Sequence, residues 1–405
     1  MDRHGAADDP HDPLSAPRPR TLDRRRFLAA AGLTVGATAA VSGLGAATAR
    51  AATRALPAGA RRAGAATASG FAVPLDSVPH TRTWMAFPDS TAIYGRKLSG
   101  MQANIALIAN TIADYEPVYL LANSASVATA KRLCANPNVT VIGSIPINDC
   151  WMRDSGPVFR TDGDGGLNAI GLNFNGWGNK QTHANDALVA QRVAACLGVG
   201  FTAAGLVSEG GAIETDGAGT LMATRSSIIN SNRNPGMSQA QIEQAMCAAY
   251  GASEVIWFTG ISGQDITDDH VDATSRFLAP GGGLVQTPNP ADPPDIWSND
   301  ENQQYQTLSA ATDAGGDPIA VTALESPDYN LIRATSADFV DSYANYYVCN
   351  GAVISAQFGD STADANARAV LQGLFPDRDV LQLNIDNLGN QGGGIHCVTQ
   401  PQPAP

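Results

Sequence analysis

The fold class is decided by three consecutive segments: RTWMAF (residues 82–87), GMQANIALIANTIAD (residues 100–114) and VYLL (residues 118–121). The first and third are short runs rich in apolar, aromatic and β-branched residues, which indicates strands. The middle segment places apolar residues at helical spacing. A strand, a helix and a second strand in succession predict an α/β fold.

The same alternation continues to the end of the chain. Helices are predicted at 126–134, 184–197, 238–250, 300–313 and 362–374, and strands at 139–147, 255–258, 273–278, 284–287 and 346–355. Residues 158–174 read as two strands joined by the turn cluster TDGDGG. No Pro/Ser-rich linker interrupts residues 71–405, so we expect one domain without an evident internal repeat. Neither dinucleotide-binding nor P-loop glycine motifs are present.

Composition and charge narrow the classes of partner. The chain has 405 residues, 44 % of them hydrophobic, and a net charge of −13, which fits a globular protein with a self-sufficient core. An acidic protein of this kind repels nucleic acid and anionic membrane surfaces. The charge suits a cationic substrate, although an acidic surface that only solvates the protein is the more usual explanation.

The N-terminus predicts export rather than structure. Arg24 and Arg25 precede Phe27-Leu28 and a weakly apolar run rich in Gly, Ala and Thr, which resembles a twin-arginine signal and is a poor membrane span. We therefore predict a signal peptide at residues 1–51, a flexible leader at 52–70 and a single catalytic domain at 71–405. The mature protein is expected outside the cytoplasm and free of the membrane.

Four stretches combine Gly, aromatic and ionisable residues in ways that a core does not require. They are Trp151-Met152-Arg153-Asp154-Ser155-Gly156-Pro157, Glu209-Gly210-Gly211, Asp268-Asp269-His270-Val271-Asp272 and Gly392-Gly393-Gly394-Ile395-His396-Cys397. Serine-hydrolase and zinc-hydrolase motifs are missing, which leaves Cys/His chemistry surrounded by carboxylates. Paired carboxylates suit a planar guanidinium, which they bind through charge-assisted hydrogen bonds.

Each of these residues also has an ordinary structural explanation. Cys397 could be a nucleophile beside flexible glycines or a buried cysteine on a terminal strand. His270 and Asp272 would share one face of a strand, or belong to an exposed acidic loop. Asp154 and Glu209 could cap turns. The remaining cysteines, such as Cys196 and Cys247, have apolar neighbours and read as small buried hydrophobes.

Together the four stretches resemble the agmatine deiminase and bacterial peptidyl-arginine deiminase family of the guanidino-group-modifying superfamily. The likeness covers about residues 71–403. Further segments that fit are Thr83-Trp84-Met85, Asn173-Phe174-Asn175-Gly176-Trp177-Gly178, Asn230-Ser231-Asn232-Arg233-Asn234-Pro235, Gln357-Phe358-Gly359-Asp360 and Thr399-Gln400. The resemblance implies a five-bladed α/β propeller, the pentein fold, with the site on its central axis.

The resemblance also implies roles. Cys397 is the expected nucleophile, His270 the general acid and base, and Glu209 the acid that orients His270. Asp154 and Asp272 are the expected guanidinium ligands, and Asp268 and Trp151 are expected to line the pocket. His396 is expected to be structural. No metal or organic cofactor is implied.

Three functions remain open at this stage. The first is an exported agmatine deiminase that yields N-carbamoylputrescine and ammonia, in the chemistry of putrescine and polyamine supply. The second is a peptidyl- or free-arginine deiminase that yields citrulline. The third is an inactive protein that binds guanidinium ligands. Three departures from the family pattern bear on substrate choice: Asp269 before the histidine, Gly394, and the stretch Phe87–Gly95. A homo-oligomer is also open.

Overall fold

The computed structural model describes residues 70–405; the predicted signal peptide and all of the predicted leader except Gly70 lie outside this range. The strands are β1 (His80–Ala86), β2 (Val118–Leu121), β3 (Val139–Ile142), β4 (Val158–Thr161), β5 (Leu167–Gly171), β6 (Gly200–Ala203), β7 (Glu214–Thr215), β8 (Thr220–Thr224), β9 (Glu254–Phe258), β10 (Ser275–Ala279), β11 (Gly282–Thr287), β12 (Ala320–Glu325), β13 (Tyr347–Cys349), β14 (Ala352–Ala356), β15 (Asp379–Leu383) and β16 (Gln400–Pro403).

The longer helices are α1 (Leu98–Ile112), α2 (Val127–Leu133), α3 (Val189–Leu197), α4 (Gln239–Tyr250), α5 (Ile296–Ala310) and α6 (Ser361–Leu374). Single α-helical turns lie at Thr91–Tyr94, Met152–Ser155, Gly176–Asn179, Arg225–Ile228 and Asp386–Gly389. Single 3-10 turns lie at Gly95–Lys97, Asp186–Leu188, Gly210–Ala212, Val271–Ala273 and His396–Val398. None of the helices in residues 70–405 is long and apolar enough to cross a membrane.

The strands form five small sheets that repeat one plan. In the sheets β4-β5-β6, β7-β8-β9, β10-β11-β12 and β13-β14-β15, an antiparallel pair is followed by a parallel third strand. In each of these sheets a helix connects the two parallel strands; the helices are α3, α4, α5 and α6, in that order. Four units of the type strand–strand–helix–strand therefore follow one another along the chain.

The remaining sheet joins the two ends of the described chain. The order is β16-β1-β2-β3, in which β16 pairs antiparallel with β1 while β1 pairs parallel with β2 through α1. In this sheet β16 thus occupies the position that the first strand occupies in each of the other four sheets. The result is the predicted five-bladed α/β propeller, whose internal repeat is not visible in the sequence but is clear in the pairing.

The helices form where the sequence predicts them because their apolar spacing matches the helical period. In α1, Met101, Ile105, Ile108 and Ile112 are all buried against the first blade. Helix α4 begins at the predicted start signal: Ser238 accepts a hydrogen bond from the Gln241 backbone, and the Gln241 side chain returns one, which completes a capping box.

Several boundaries differ from the predictions. The single strand predicted at 346–355 is a hairpin of β13 and β14, because Asn350-Gly351 forms the turn and Gly351 has φ 82°. The strand predicted at 139–147 stops at Ile142. The helix predicted at 300–313 runs from Ile296 to Ala310, because Asp295 caps it earlier than the apolar pattern suggested.

The cysteines differ in part from the expectation. All six are free thiols. Cys134, Cys150 and Cys349 are buried as small apolar side chains, but Cys196 is exposed and Cys247 is only partly buried. The prediction was wrong for these two, because apolar neighbours in a helix sequence do not place a residue on the inward face.

Candidate active site

The site is built from segments that precede the first strand of each blade. The turns Met152–Ser155, Gly210–Ala212, Val271–Ala273 and His396–Val398 lead into β4, β7, β10 and β16, and they contact one another. In the remaining blade, the loop that ends at Tyr346 leads into β13. One plan repeated five times therefore brings Asp154, Glu209, His270, Asp272 and Cys397 from distant parts of the chain to a common region.

Gly211 marks the centre of this region. A Cβ atom placed on Gly211 would lie 2.8 Å from His270 Nδ1, 2.9 Å from Asp154 Oδ1 and 3.0 Å from Asp272 Oδ2. An imidazole and two carboxylates thus face the same small space above a residue that has no side chain. Only glycine leaves that space free, which accounts for the Gly-Gly pair after Glu209.

Asp154 is fixed on both carboxylate oxygens. Its Oδ1 accepts a hydrogen bond from the Gly211 backbone at 3.0 Å, and its Oδ2 accepts one from Trp177 Nε1 at 2.9 Å. Burial raises the pKa of Asp154, the charge of His270 opposes that rise, and the neighbouring Asp272 and Glu209 reinforce it. Asp154 is therefore a rigid carboxylate that a bound cation would stabilise in its charged form.

Asp272 has different hydrogen-bond partners from Asp154. Its Oδ2 contacts His396 Nδ1 at 2.7 Å, and His396 Nε2 contacts Asp76 Oδ2 at 2.9 Å. Burial would raise the pKa of Asp272, but the hydrogen bond and charge of His396, with more distant cations, lower it overall. Within residues 70–405, Asp272 Oδ1 is buried and has no hydrogen-bond partner. His396 thus holds Asp272 in place.

His270 lies at the end of a strained loop, and of the two readings left open by the sequence, a strand or an acidic loop, the structure has the loop. Asp268 and Asp269 have φ 60° and 73°, and His270 is followed by the 3-10 turn Val271–Ala273. Acidic residues favour turns, which is why the loop forms here, but its side chains are buried rather than exposed. The turn still directs both His270 and Asp272 to the space above Gly211.

The imidazole of His270 is set by carboxylates. His270 Nε2 lies 3.3 Å from Glu209 Oε2, and Nδ1 lies 3.7 Å from Asp154 Oδ1. Burial lowers the pKa of His270, but Asp154, Glu209 and Asp272 outweigh burial and raise the pKa to about 9. His270 is therefore an imidazolium at neutral pH, ready to donate a proton.

Cys397 lies beside the same carboxylates. Its Sγ is 4.0 Å from Asp272 Oδ2, 3.4 Å from Asn345 Oδ1 and 3.5 Å from the Gly394 backbone nitrogen. Burial, Asp272 and Asp154 raise the pKa of the thiol well above its usual value, and the contacts to Gly394 and Asn345 only partly offset this. The resting cysteine is thus a neutral thiol.

Asn345 is the contribution of the fifth blade, and the sequence analysis missed it. Its Oδ1 accepts a hydrogen bond from the His396 backbone at 3.1 Å, and its Nδ2 donates to the Asp272 backbone oxygen at 3.2 Å. It therefore connects the loop of Cys397 to the turn of Asp272. The available signal was its place just before a blade's first strand, which is visible only once the repeat is known.

The glycines before Cys397 have steric causes. A Cβ on Gly393 would lie 2.2 Å from the Trp151 ring, and one on Gly394 would lie 2.3 Å from Asn345 Oδ1. Gly394, one of the departures from the family pattern, thus lets the chain pass close to Asn345. Trp151 packs against this glycine backbone, and its indole donates to Asp149 Oδ2 at 3.0 Å.

The departing stretch Phe87–Gly95 reaches the same carboxylate. The Tyr94 hydroxyl donates to Asp149, and Gln181 Nε2 donates to Asp149 Oδ2 at 2.7 Å. Burial raises the pKa of Asp149, although its hydrogen bonds oppose that rise. Tyr94 therefore helps to fix the carboxylate that orients Trp151.

Asp268 is bound by two cations. Its Oδ2 lies 2.7 Å from Lys180 Nζ and 2.8 Å from Arg233 Nη1. Burial would raise its pKa, but Lys180 and Arg233 lower it overall. Asp268 therefore fixes the loop before His270, while its direct contact with a ligand stays a prediction.

The arrangement defines the chemistry that it can perform. A thiol, an imidazolium and two converging carboxylates surround a space in which one carboxylate oxygen has no protein partner. Such a site favours a flat cation with several N–H donors and an electrophilic carbon.

Comparisons with known proteins agree with this geometry. The family profile described as Porphyromonas-type peptidyl-arginine deiminase matches residues 72–403. A Streptomyces coelicolor protein provisionally named agmatine deiminase is 36 % identical over 343 residues, which cover 82 % of this chain and 99 % of the relative. Agmatine deiminase of Pseudomonas putida is 32 % identical over 370 residues, with 84 % and 97 % covered.

A solved structure shows the same fold. Agmatine deiminase of Enterococcus faecalis, described as catalysing its reaction, superposes with a TM-score of 0.77 at 28 % identity, over 83 % of this chain and 96 % of that one. The fold thus places the protein among the penteins. More narrowly, the chain belongs to the Porphyromonas-type peptidyl-arginine deiminase family, which here includes the agmatine deiminases.

Proposed function

We propose that this protein is a guanidine deiminase that hydrolyses agmatine to N-carbamoylputrescine and ammonia. The observation that carries the proposal is the convergence of His270, Asp154 and Asp272 within 3.0 Å of one point above Gly211. Both carboxylates are almost fully buried, so a compact cation that pairs with both would offset their mutual repulsion. A guanidinium has the planar donors that this pairing requires.

The enclosure of the site favours a small substrate. The exposed fraction is 5 % for Asp154, 1 % for Asp272, 4 % for His270 and 9 % for Trp151. Agmatine carries a guanidinium on a thin alkyl chain and fits an enclosed site, whereas an arginine within a peptide needs an open rim for its flanking backbone. The relatives named agmatine deiminases support the same choice.

The proposed reaction begins with substrate-assisted activation of the thiol. Asp154 and Asp272 raise the pKa of the Cys397 thiol, and the positive charge of the guanidinium that they bind lowers it again. The thiol proton then leaves to solvent. The Cys397 thiolate then attacks the central carbon and forms a tetrahedral adduct. Because the reactants are held together, this step is effectively unimolecular.

Proton transfer by His270 completes both halves of the reaction. The imidazolium gives its proton to one guanidine nitrogen, which leaves as ammonia, and a covalent thiouronium remains on Cys397. The neutral imidazole then takes a proton from water, which attacks the same carbon. As the second adduct collapses, its C–S bond breaks and its hydroxyl proton passes to the sulfur, which releases the neutral ureido product and restores the Cys397 thiol. The hydrogen bond to Glu209 keeps the ring oriented throughout.

The experiment is ammonia release by the purified protein with agmatine, free arginine or a short arginine peptide, beside Cys397→Ala. We expect turnover of agmatine, with its loss in the variant. Turnover of the peptide or of free arginine in preference to agmatine would move the function to citrulline formation; a peptide substrate would agree with the peptidyl-arginine deiminase of the family description. No ammonia from any of the three, with an intact fold, would contradict deiminase activity.

We also propose that the twin-arginine signal exports the protein, so that it acts on agmatine outside the cytoplasm. The support is the sequence of residues 1–51. Fractionation of cells carrying the full chain or an Arg24→Lys, Arg25→Lys double variant tests this. We expect mature protein outside the cytoplasm for the first and retention of the precursor for the second. Equal distribution of both would contradict export by this route.

A further inference from the structure

Arg233 is a wholly buried guanidinium that the reaction as described does not use. It lies in the blade β7-β8-β9, between the helical turn Arg225–Ile228 and helix α4, and its side chain has no exposed surface. Burying an arginine costs free energy unless its donors are paired. The partners of Arg233 therefore indicate what it does.

Those partners are Glu209, which contacts His270, and the loop that precedes His270 in the chain. Arg233 Nε donates to Glu209 Oε1 at 2.9 Å and Oε2 at 3.1 Å, and Nη1 donates to Asp268 Oδ2 at 2.8 Å. Nη2 donates to the Thr267 backbone oxygen at 2.8 Å, three residues before His270. One guanidinium thus binds the hydrogen-bond partner of the imidazole and the loop that carries it.

A small set of charged groups surrounds His270, Glu209 and Asp268. His270 faces three carboxylates: Glu209, Asp154 and Asp272. Apart from His270 itself, Arg233 is the one cation of residues 70–405 that forms an ion pair with Glu209. Lys180 adds a second positive charge, but it contacts Asp268 rather than Glu209, and its side chain is 31 % exposed.

We propose that Arg233 is a positioning residue that, through Glu209, sets the pH range in which His270 carries its proton. The inference rests on the proposed function, because it concerns the proton donor of that reaction. Arg233 shares Glu209 with His270, which limits how strongly the carboxylates hold the imidazole proton. It also holds the strained backbone at Asp268 and Asp269 in the conformation that directs His270 to the site.

The sign of the effect follows from electrostatics. Removing a buried positive charge makes a nearby imidazole hold its proton more tightly, so His270 would lose its proton at higher pH. A unit charge acting across several ångströms of buried protein shifts such a titration by about one pH unit. Removing the negative charge of Glu209 acts in the opposite direction.

The test uses Arg233→Met, Arg233→Lys and Glu209→Gln in the full mature chain, with Lys180→Met as the matched control. Two readouts are taken: the pH profile of kcat/KM with agmatine, and the His270 ring titration followed by NMR of histidine-labelled protein. The second needs no turnover, so failure of the proposed deiminase activity is distinguishable from failure of this inference. His270→Asn identifies the resonance.

We expect Arg233→Met to move the His270 titration and the alkaline limb of the profile upward by about one pH unit, and Glu209→Gln to move the titration downward. Arg233→Lys keeps the charge and should move the titration by less than half as much, while Lys180→Met leaves it nearly unchanged. If Arg233→Met does not fold, Arg233→Gln replaces it. A folded neutral variant whose His270 titrates as in the wild type would overturn the inference, whatever its activity.

Discussion

Gly211→Ala places a single methyl group at the point where the proposed guanidinium site converges. The new Cβ would lie 2.8 Å from His270 Nδ1, 2.9 Å from Asp154 Oδ1 and 3.0 Å from Asp272 Oδ2, and ordinary contact begins at 3.4 Å. The three groups must therefore each retreat by about 0.4–0.6 Å. Gly211 has no positive φ, so alanine adds no backbone strain.

The cost to catalysis is larger than the cost to stability. A charge-assisted hydrogen bond contributes about 1.5–3 kcal/mol, so loss of the contacts from both carboxylates removes about 3–6 kcal/mol of binding to the transition state. This corresponds to a decrease in kcat/KM of about 10²–10⁴-fold. Overpacking costs about 1–3 kcal/mol of folding free energy, which lowers the melting temperature by only a few degrees.

The assay is steady-state ammonia release from agmatine with thermal unfolding measured in parallel. Gly373→Ala is the matched control, because a Cβ there meets nothing within 4 Å and the residue lies inside α6. It should leave kcat/KM unchanged and stabilise the helix by up to about 1 kcal/mol. A folded Gly211→Ala variant with kcat/KM within about threefold of the wild type would refute the assignment of this space to the substrate.

Three further predictions follow from the site. The pKa of His270 rises from 6.5 to about 9 on folding, so its protonation stabilises the fold by about 3 kcal/mol below pH 6.5, and this is lost as the pH rises through about 9. Urea unfolding across that pH range should show the loss in the wild type and not in His270→Asn. Trp177→Phe removes the indole donor to Asp154 but keeps the ring, and should raise KM for agmatine by about tenfold with a smaller change in kcat; an unchanged KM would contradict this role. Asp269→Asn removes a carboxyl whose pKa burial and neighbouring acids raise, and should increase the melting temperature at pH 8 without loss of turnover, whereas a lower value would show that the carboxyl stabilises the loop.

The sequence predicted the longer helices better than the strands or their arrangement, since β6, β7, β8, β12, β15 and β16 were not predicted. Helices such as α1 and α4 carry their apolar period and capping residues locally, so both could be located from the residues alone. The five-fold repeat was not visible, because what repeats is hydrogen-bond pairing and not residue identity. The closure of the first blade by β16 depends on two segments more than 300 residues apart, which no local pattern reveals.

The candidate site was likewise predicted only in part. The residues expected from family likeness lie together, but the likeness could not show that Gly211 is their common point. Asn345 was missed because a lone asparagine between tyrosines carries no local signal. Arg233 was noticed only as part of a matching segment, and its contact with Glu209 became evident only once the blades were assembled.

The central claim is that Cys397 attacks a guanidinium held by Asp154 and Asp272. Its most direct test is rapid acid quench of the enzyme with agmatine during turnover, followed by peptide mass spectrometry. We predict an amidine adduct on the peptide that contains Cys397, absent from Cys397→Ser and present at higher occupancy in variants whose second step is slowed. Unimpaired ammonia release by Cys397→Ser, or turnover with an adduct on another residue, would contradict the account.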